Sequence, residues 1–505
     1  MVTRYLALLK TASAKPYCGD YNQTETYTPL LTLRQRALYG VGGAVFSVKE
    51  AAYSIFVLIF YTQVLGLAGS IAGLVMLLAI LWDAVNDPLI GGWSDRFQSR
   101  WGRRHPFMLA GAIPMGIGFI GLFYPPAAIT EDTWLLAAWL LFWSLWIRTF
   151  LSFFSIPHLA MAAELTTDYY ERSRLLGART FFGFICAVAL PALALLVLFP
   201  TINEIDGRFV AGNYPMYGLW SCLLVWLVAG LAIGGTPRHP GERKVAAKKN
   251  ASPTTVTALF KDFALILRNL NFRNILFYDA AASASYGILI SLNVLAWTYY
   301  WELSTTQLSV VLALPSIIGV PLAVWAMGPL GKRWSKHRIL QLTIGLMIAV
   351  AMSVYLLRWL DWLPANDHPL VFVALLLQML AWMFLFVIRV ICAFSIIADV
   401  TDEHELEHGT RQEGGFFAAM GFTTKLAGAA GPLYAGIVLD VINLQEGMLP
   451  GAIAQQTLDG LALSLLVGVI PLLLLAWRFT YAISMSPQKL AHIQAQLRAR
   501  EEQKN

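Results

Sequence analysis

Long apolar runs separated by short polar joints organise this chain. Runs of spanning length fall near residues 38–64, 70–94, 106–126, 134–163, 175–200 and 215–235, and again near 274–300, 307–330, 338–360, 369–398, 413–442 and 459–483. Each approaches or exceeds the ~20 residues that a helix needs to cross a bilayer. The pattern predicts an all-α polytopic membrane protein of twelve transmembrane helices in two six-helix bundles. Proline and glycine within several runs (Pro191, Pro315, Pro321, Gly428) suit membrane helices. The expected organisation is a tail over 1–36, a first bundle over 37–236, a central loop over 237–273, a second bundle over 274–484 and a tail over 485–505. The first 36 residues carry only a short apolar stretch, Tyr5 to Leu9, too short for a signal-peptide core. The first span is therefore expected to double as the insertion signal.

The basic residues orient these runs. Lysine and arginine gather in the two tails and in the even-numbered junctions, whereas the odd-numbered junctions hold only Arg208 and Arg358. By the positive-inside rule, both termini and the central loop are expected in the cytoplasm. Only 13% of the 505 residues are charged and 57% are hydrophobic, where a soluble domain has about 25% charged. The net charge of +6 is spread over every predicted cytoplasmic junction and not gathered on one face, which argues against a nucleic-acid partner. Four cysteines lie in the tail or in separate spans, so no disulfide framework is implied. Tryptophans near span ends (Trp134, Trp297, Trp301, Trp359, Trp362) are expected to form an interfacial belt.

A faint repeat relates the two halves. Gly92-Trp-Ser-Asp-Arg96 before Arg103-Arg104 resembles Gly328-Pro-Leu-Gly-Lys332-Arg333 before Lys336-His-Arg338. Ala163-Glu164-Leu-Thr-Thr-Asp168 resembles Ala398-Asp399-Val-Thr-Asp402-Glu403. Both pairs follow even-numbered spans, so the duplication is of six helices and parallel. That is the arrangement of the major facilitator superfamily (MFS), in which a midplane cavity sits between two rocking halves.

Charged residues interrupt the apolar runs: Lys49 and Glu50 in the first, Asp83, Asn86 and Asp87 in the second, Arg148 and His158 in the fourth, Arg179 in the fifth, Asp279 in the seventh, Arg389 in the tenth and Lys425 in the eleventh. Each costs roughly 2.5–3.5 kcal/mol at the bilayer centre, so together they are expected to face a shared polar interior. Asp83 and Asp87 share one helix face. Two carboxylates so placed repel, so one should be protonated or a cation should bridge them. Hard oxygen ligands suit Na⁺ and a raised carboxyl pKa suits H⁺. Lys49–Glu50, Arg148 and Arg389 also admit a structural reading as ion pairs locking helices, and His158 one as a helix–helix hydrogen bond. Asp95, Arg96, Arg103 and Arg104 form a candidate cytoplasmic gate, with acids expected opposite in junction 4–5 (Glu164, Asp168, Glu171) and junction 10–11 (Asp399, Asp402, Glu403, Glu405).

Several separate motifs, in order, resemble the glycoside–pentoside–hexuronide:cation symporter family of the MFS. They are Tyr39-Gly with Lys49-Glu50, Trp82-Asp-Ala-Val-Asn-Asp87-Pro88 with Gly102-Arg-Arg104 and Pro106, Ile156-Pro157, Asp168-Tyr-Tyr-Glu171-Arg172 with Arg179-Thr-Phe-Phe, and Asp399 followed by Gly409-Thr-Arg411-Gln-Glu413-Gly414 and Lys425. The resemblance implies a secondary active transporter, not an enzyme. It would carry a sugar or glycoside with H⁺ or Na⁺ across the cytoplasmic (inner) membrane by alternating access, as a monomer in the bilayer and without a cofactor. It implies cation contacts at Asp83, Asn86, Asp87 and Ser155 and substrate contacts at Lys49, Glu50, His158, Arg179 and Lys425, with Lys425 also a charge partner to the acids across the cavity, linking the two halves. The gate gains Arg411 and Glu413. Two positions depart from the family: Ser155 stands where melibiose-type members have a carboxylate, and His158 and Leu159 stand where an aromatic that stacks on sugar is expected. An MFS carrier of a lipid-like or zwitterionic solute is the alternative, and a multi-span membrane enzyme a remote one, since no catalytic acid pair or His/Cys cluster is visible.

Overall fold

A computed structural model describes residues 31–97, 99–166, 169–201, 206–237, 267–409, 413–444, 451, 453–485 and 487–502. Eleven helices among them are long and apolar enough to cross a membrane. These are α1 (Leu33–Val64), α2 (Gly69–Arg96), α3 (His105–Phe123), α4 (Thr133–Leu165), α5 (Tyr169–Val197), α6 (Tyr214–Gly235), α7 (Leu270–Tyr300), α8 (Thr305–Arg333), α9 (Lys336–Trp359), α10 (Pro369–His408) and α12 (Gln455–Thr480). The twelfth, α11, is broken at Ala429 into Glu413–Gly428 and Ala430–Val441. A further helix, α13 (Pro487–Glu502), lies in the segment expected to be a plain tail. It is tied to α10 by Lys489 on Glu403, by Gln494 on Asp402 and by Arg500 on the Leu406 carbonyl.

Helices α1 to α6 pack on one another, as do α7 to α12. The second bundle starts earlier than expected. Asn269 caps α7 by accepting from the Phe272 amide, and Asn271 donates to Glu403 and accepts from Ser484. Paired polar side chains therefore extend α7 by a turn that hydropathy assigns to the central loop. Most of that loop lies outside the described residues.

The duplication is visible in the backbone. Helix α1 ends on an i→i+5 bond from the Leu65 amide to the Phe60 carbonyl, then a bond from Leu67 to Tyr61. Helix α7 ends on the same pair, Trp301 to Ala296 and Leu303 to Trp297. The residue between is left-handed in both, Gly66 at φ 72° and Glu302 at φ 51°, so 302 − 66 gives an offset of 236. The Tyr299 hydroxyl joins the two ends by donating to Gln63 Oε1 at 3.0 Å. This turn also corrects the expected tryptophan belt: Trp134, Trp359 and Trp362 are exposed, but Trp297 and Trp301 are buried. The wound-in end of α7 carries them inward, where Trp301 lies 5.1 Å from the Arg358 guanidinium.

The halves meet at the end of the bundle opposite the tails. There α2 packs against the second segment of α11, and α5 against α8. The Gly69 and Ser70 amides at the start of α2 each donate to an Asp440 oxygen at 2.8 Å. A carboxylate from one half thus satisfies two orphan donors and complements the helix dipole of the other. The backbones touch: a Cβ on Gly436 would overlap the Gly69 carbonyl, and one on Gly73 would come 2.5 Å from the Pro432 carbonyl oxygen. Asp440 gave no signal in the sequence, standing at the end of an apolar span. Its partners are backbone amides 370 and 371 residues away.

Candidate functional site: a charged cleft between the halves

The charged residues of α1, α2, α4 and α11 converge at mid-bundle as ion pairs. Arg148, buried on α4, donates from Nη1 to Asp83 Oδ2 at 2.6 Å. Its guanidinium lies 5.4 Å from the Tyr53 ring. Asp87, one turn on, accepts from Ser152 Oγ at 2.5 Å and from the Lys425 ammonium at 2.9 Å. On α1, Lys49 is buried and bonded to Glu50, whose side chain stays 44% exposed. The Lys425–Asp87 bond crosses between the halves. Each carboxylate of the Asp83/Asp87 pair thus has its own basic partner, Arg148 or Lys425. This corrects the premise that their repulsion must be relieved by a proton or an added cation.

Other expected site residues are placed differently. Asn86 is buried with its amide nitrogen unpartnered among the described residues. Ser152, and not Ser155, holds Asp87; Ser155 lies almost one turn further along α4, and a reading keyed to the residue before Ile156-Pro157 misses that turn. His158 is fully buried, its ring stacked on Tyr39 at 4.5 Å and its Nε2 2.9 Å from the Tyr39 carbonyl. It seals α4 against α1 and does not line the cleft. Arg179 reaches it with Nε 3.4 Å from Nδ1 and is otherwise half-buried. In the second half, buried Asp279 accepts from Thr424 at 2.5 Å and lies 3.7 Å from Arg389.

At the end that carries the tails, each half closes on itself. Arg103 and Arg104 donate to Glu164 at 2.6 and 2.8 Å, and Arg104 also reaches Asp95 and Ser94. This is the expected partner in junction 4–5, although Glu171 instead pairs with Arg36. The expected link to junction 10–11 is not made among the described residues. Asp399 binds Lys336 at 2.7 Å, and Glu403 binds Lys489 and Asn271. These acids have nearer bases in their own half, because the two halves join at the other end. Arg96 is exposed on the last turn of α2. Asp168, Arg411 and the side chain of Glu413 lie outside the described residues.

Burial makes the Arg148–Asp83 pair expensive to break. Asp83→Asn leaves a buried guanidinium without its carboxylate and is expected to cost about 3–5 kcal/mol of stability. Thermal unfolding in detergent measures it, with Asp83→Asn/Arg148→Met expected to recover most of the loss. Equal melting of Asp83→Asn and wild type would show the pair to be unimportant for the fold.

Paired helical halves around a polar, ion-paired cleft define a membrane carrier. The chain belongs to the MFS/sugar transport protein family, which matches residues 38–485. It is 24% identical over 425 residues to the Inner membrane symporter YicJ of Escherichia coli (strain K12), spanning 81% of this chain and 83% of that protein. It is 22% identical over 409 residues to the Isoprimeverose transporter of Lactiplantibacillus pentosus, spanning 80% and 79%. The crystal structure of nucleoside transporter NupG superposes with a TM-score of 0.62 at 14% identity, over 90% of this chain and 100% of that one. At that identity the likeness speaks for the fold alone.

Proposed function

We propose that this chain is a cation-coupled symporter of a glycoside, working by alternating access in the cytoplasmic (inner) membrane, with both termini in the cytoplasm. The Lys425–Asp87 bond carries the proposal. It ties the ion-pair cluster of the first half to the second half, and any cation that binds Asp87 must compete with the ammonium already there. Arrival of H⁺ or Na⁺ at Asp87 releases Lys425, loosens the cross-cleft tie and leaves the ammonium free to donate to solute hydroxyls. Glu50, held in place by buried Lys49, and Arg179 supply further hydrogen bonds, the arginine fork suiting neighbouring hydroxyls. Solute and ion together shift the carrier only through their difference in affinity for its two states.

The positive-inside distribution supports a cytoplasmic position for the tail-bearing end; on that reading the Asp440 contact closes the outer end and the conformation opens inward. The names of the two relatives, an inner membrane symporter and an isoprimeverose transporter, support the same reading. The protein works as a monomer with no cofactor beyond the coupling ion. Membrane vesicles loaded with an imposed Na⁺ or pH gradient and given labelled glycosides test this. Uptake of at least one glycoside driven by one of the two gradients is expected; gradient-independent uptake, or uptake of lipids or zwitterions alone, would overturn it.

A further inference from the structure

Helix α1 is walled in by α4, α5, α6 and α7. Between Gly42 and Gln63 every side chain is buried except Phe46, Glu50 and Ser54. Those three stand at i, i+4 and i+8, one stripe along one face. Ser54 donates to the Glu50 carbonyl, and Glu50 is a carboxylate already placed in the cleft. A stripe uncovered on an otherwise enclosed helix opens onto the same cleft. Phe46 is 41% exposed there, a large cost for a phenyl ring in a helix that buries everything around it, since apolar area left in water forgoes about 25 cal/mol per Å². The Lys49 ammonium lies 4.7 Å from its centroid, holding the ring beside the Lys49–Glu50 pair.

We propose that Phe46 is the platform for the apolar face of the sugar ring, and that it makes this carrier selective for pyranosides with contiguous C–H groups on one face. The inference rests on the glycoside reading above and deepens it. The negative face of an aromatic ring attracts weakly positive C–H groups, while the Glu50 carboxylate one turn away, held by Lys49, takes hydroxyls at the ring edge. A pyranoside presents both surfaces at once; an acyclic polyol with the same hydroxyls offers no flat apolar face. The aromatic expected beside Pro157 is thereby supplied from α1.

The test uses full-length protein in vesicles with ¹⁴C-labelled methyl β-D-glucopyranoside, methyl β-D-xylopyranoside and methyl α-D-galactopyranoside, and with Phe46→Ala, Phe46→Leu and Phe46→Tyr. For whichever probe the wild type accumulates, Phe46→Ala and Phe46→Leu are expected to raise KM about 5- to 10-fold, with maximal rate changed less than about twofold. Phe46→Tyr is expected to stay near wild type, and acyclic sorbitol to compete in none of the four. Leucine keeps the apolar volume without the π face, so wild-type KM in Phe46→Leu would overturn the stacking role while leaving glycoside transport intact. Failure of the wild type to take up any of the three probes under either gradient would overturn the glycoside reading itself, and the platform with it.

Discussion

Asp87→Asn should reduce concentrative uptake to simple equilibration while the protein remains in the membrane at normal abundance. Asparagine keeps the shape and can still accept from Ser152. It cannot carry the charge that holds Lys425, and it cannot take up a proton or provide an anionic ligand for Na⁺. Asp87 is partly exposed to the cleft, so the change leaves no deeply buried ion stranded, unlike Asp83→Asn. One charge moving down ~100 mV supplies ~2.3 kcal/mol, which supports an accumulation of about 50-fold. The variant is expected to fall to an inside-to-outside ratio of about one, with exchange of internal for external solute retained. Flow dialysis or filtration of energised vesicles measures the ratio. Wild-type accumulation in Asp87→Asn would remove Asp87 from the coupling mechanism.

The second large effect is expected at the opposite end of the bundle. Gly436→Val should abolish transport, because the valine side chain cannot fit where the Gly436 and Gly69 backbones touch. The end joined by Asp440 then cannot close, and the carrier is held open on that side. Hydrogen exchange gives a readout independent of activity. The Gly69 and Ser70 amides donate to Asp440 in the closed end; charge-assisted bonds of this kind contribute about 1.5–3 kcal/mol each. Their exchange in Gly436→Val is expected to quicken by about tenfold or more. Asp440→Ala should give the same direction of change with residual transport, since it removes the cap but not the fit. Normal uptake and unchanged exchange in Gly436→Val would mean that this contact does not open during the cycle.

The spans were legible because a membrane helix must be apolar along its length, and ten-residue errors arise only where polar side chains find partners within the protein. Helix α10 runs through Asp399 and Glu403 to His408 because Lys336, Lys489 and Asn271 satisfy those acids. The break in α11 at Ala429 falls among Gly428, Ala430 and Gly431, small residues whose clustering alone does not fix a break. That buried charges must face inward was legible, and the resemblance pointed Lys425 at the acids across the cleft; which particular acid meets which base was not legible. Arg148 meets Asp83 across 65 residues and Lys425 meets Asp87 across 338, and spacing within a helix cannot choose among such partners. The gate shows the same limit, since Glu164 follows from proximity whereas Asp399 and Glu403, in the last turns of α10, are claimed by bases from their own half.

The matching of Lys49 with Glu50, Arg148 with Asp83 and Lys425 with Asp87 also bears on the return stroke. Three acids balanced by three bases of the chain itself sum to zero, so these groups contribute no net charge movement when the empty carrier resets. Through these pairs, membrane voltage then acts on the stroke that carries the ion and not on the reset.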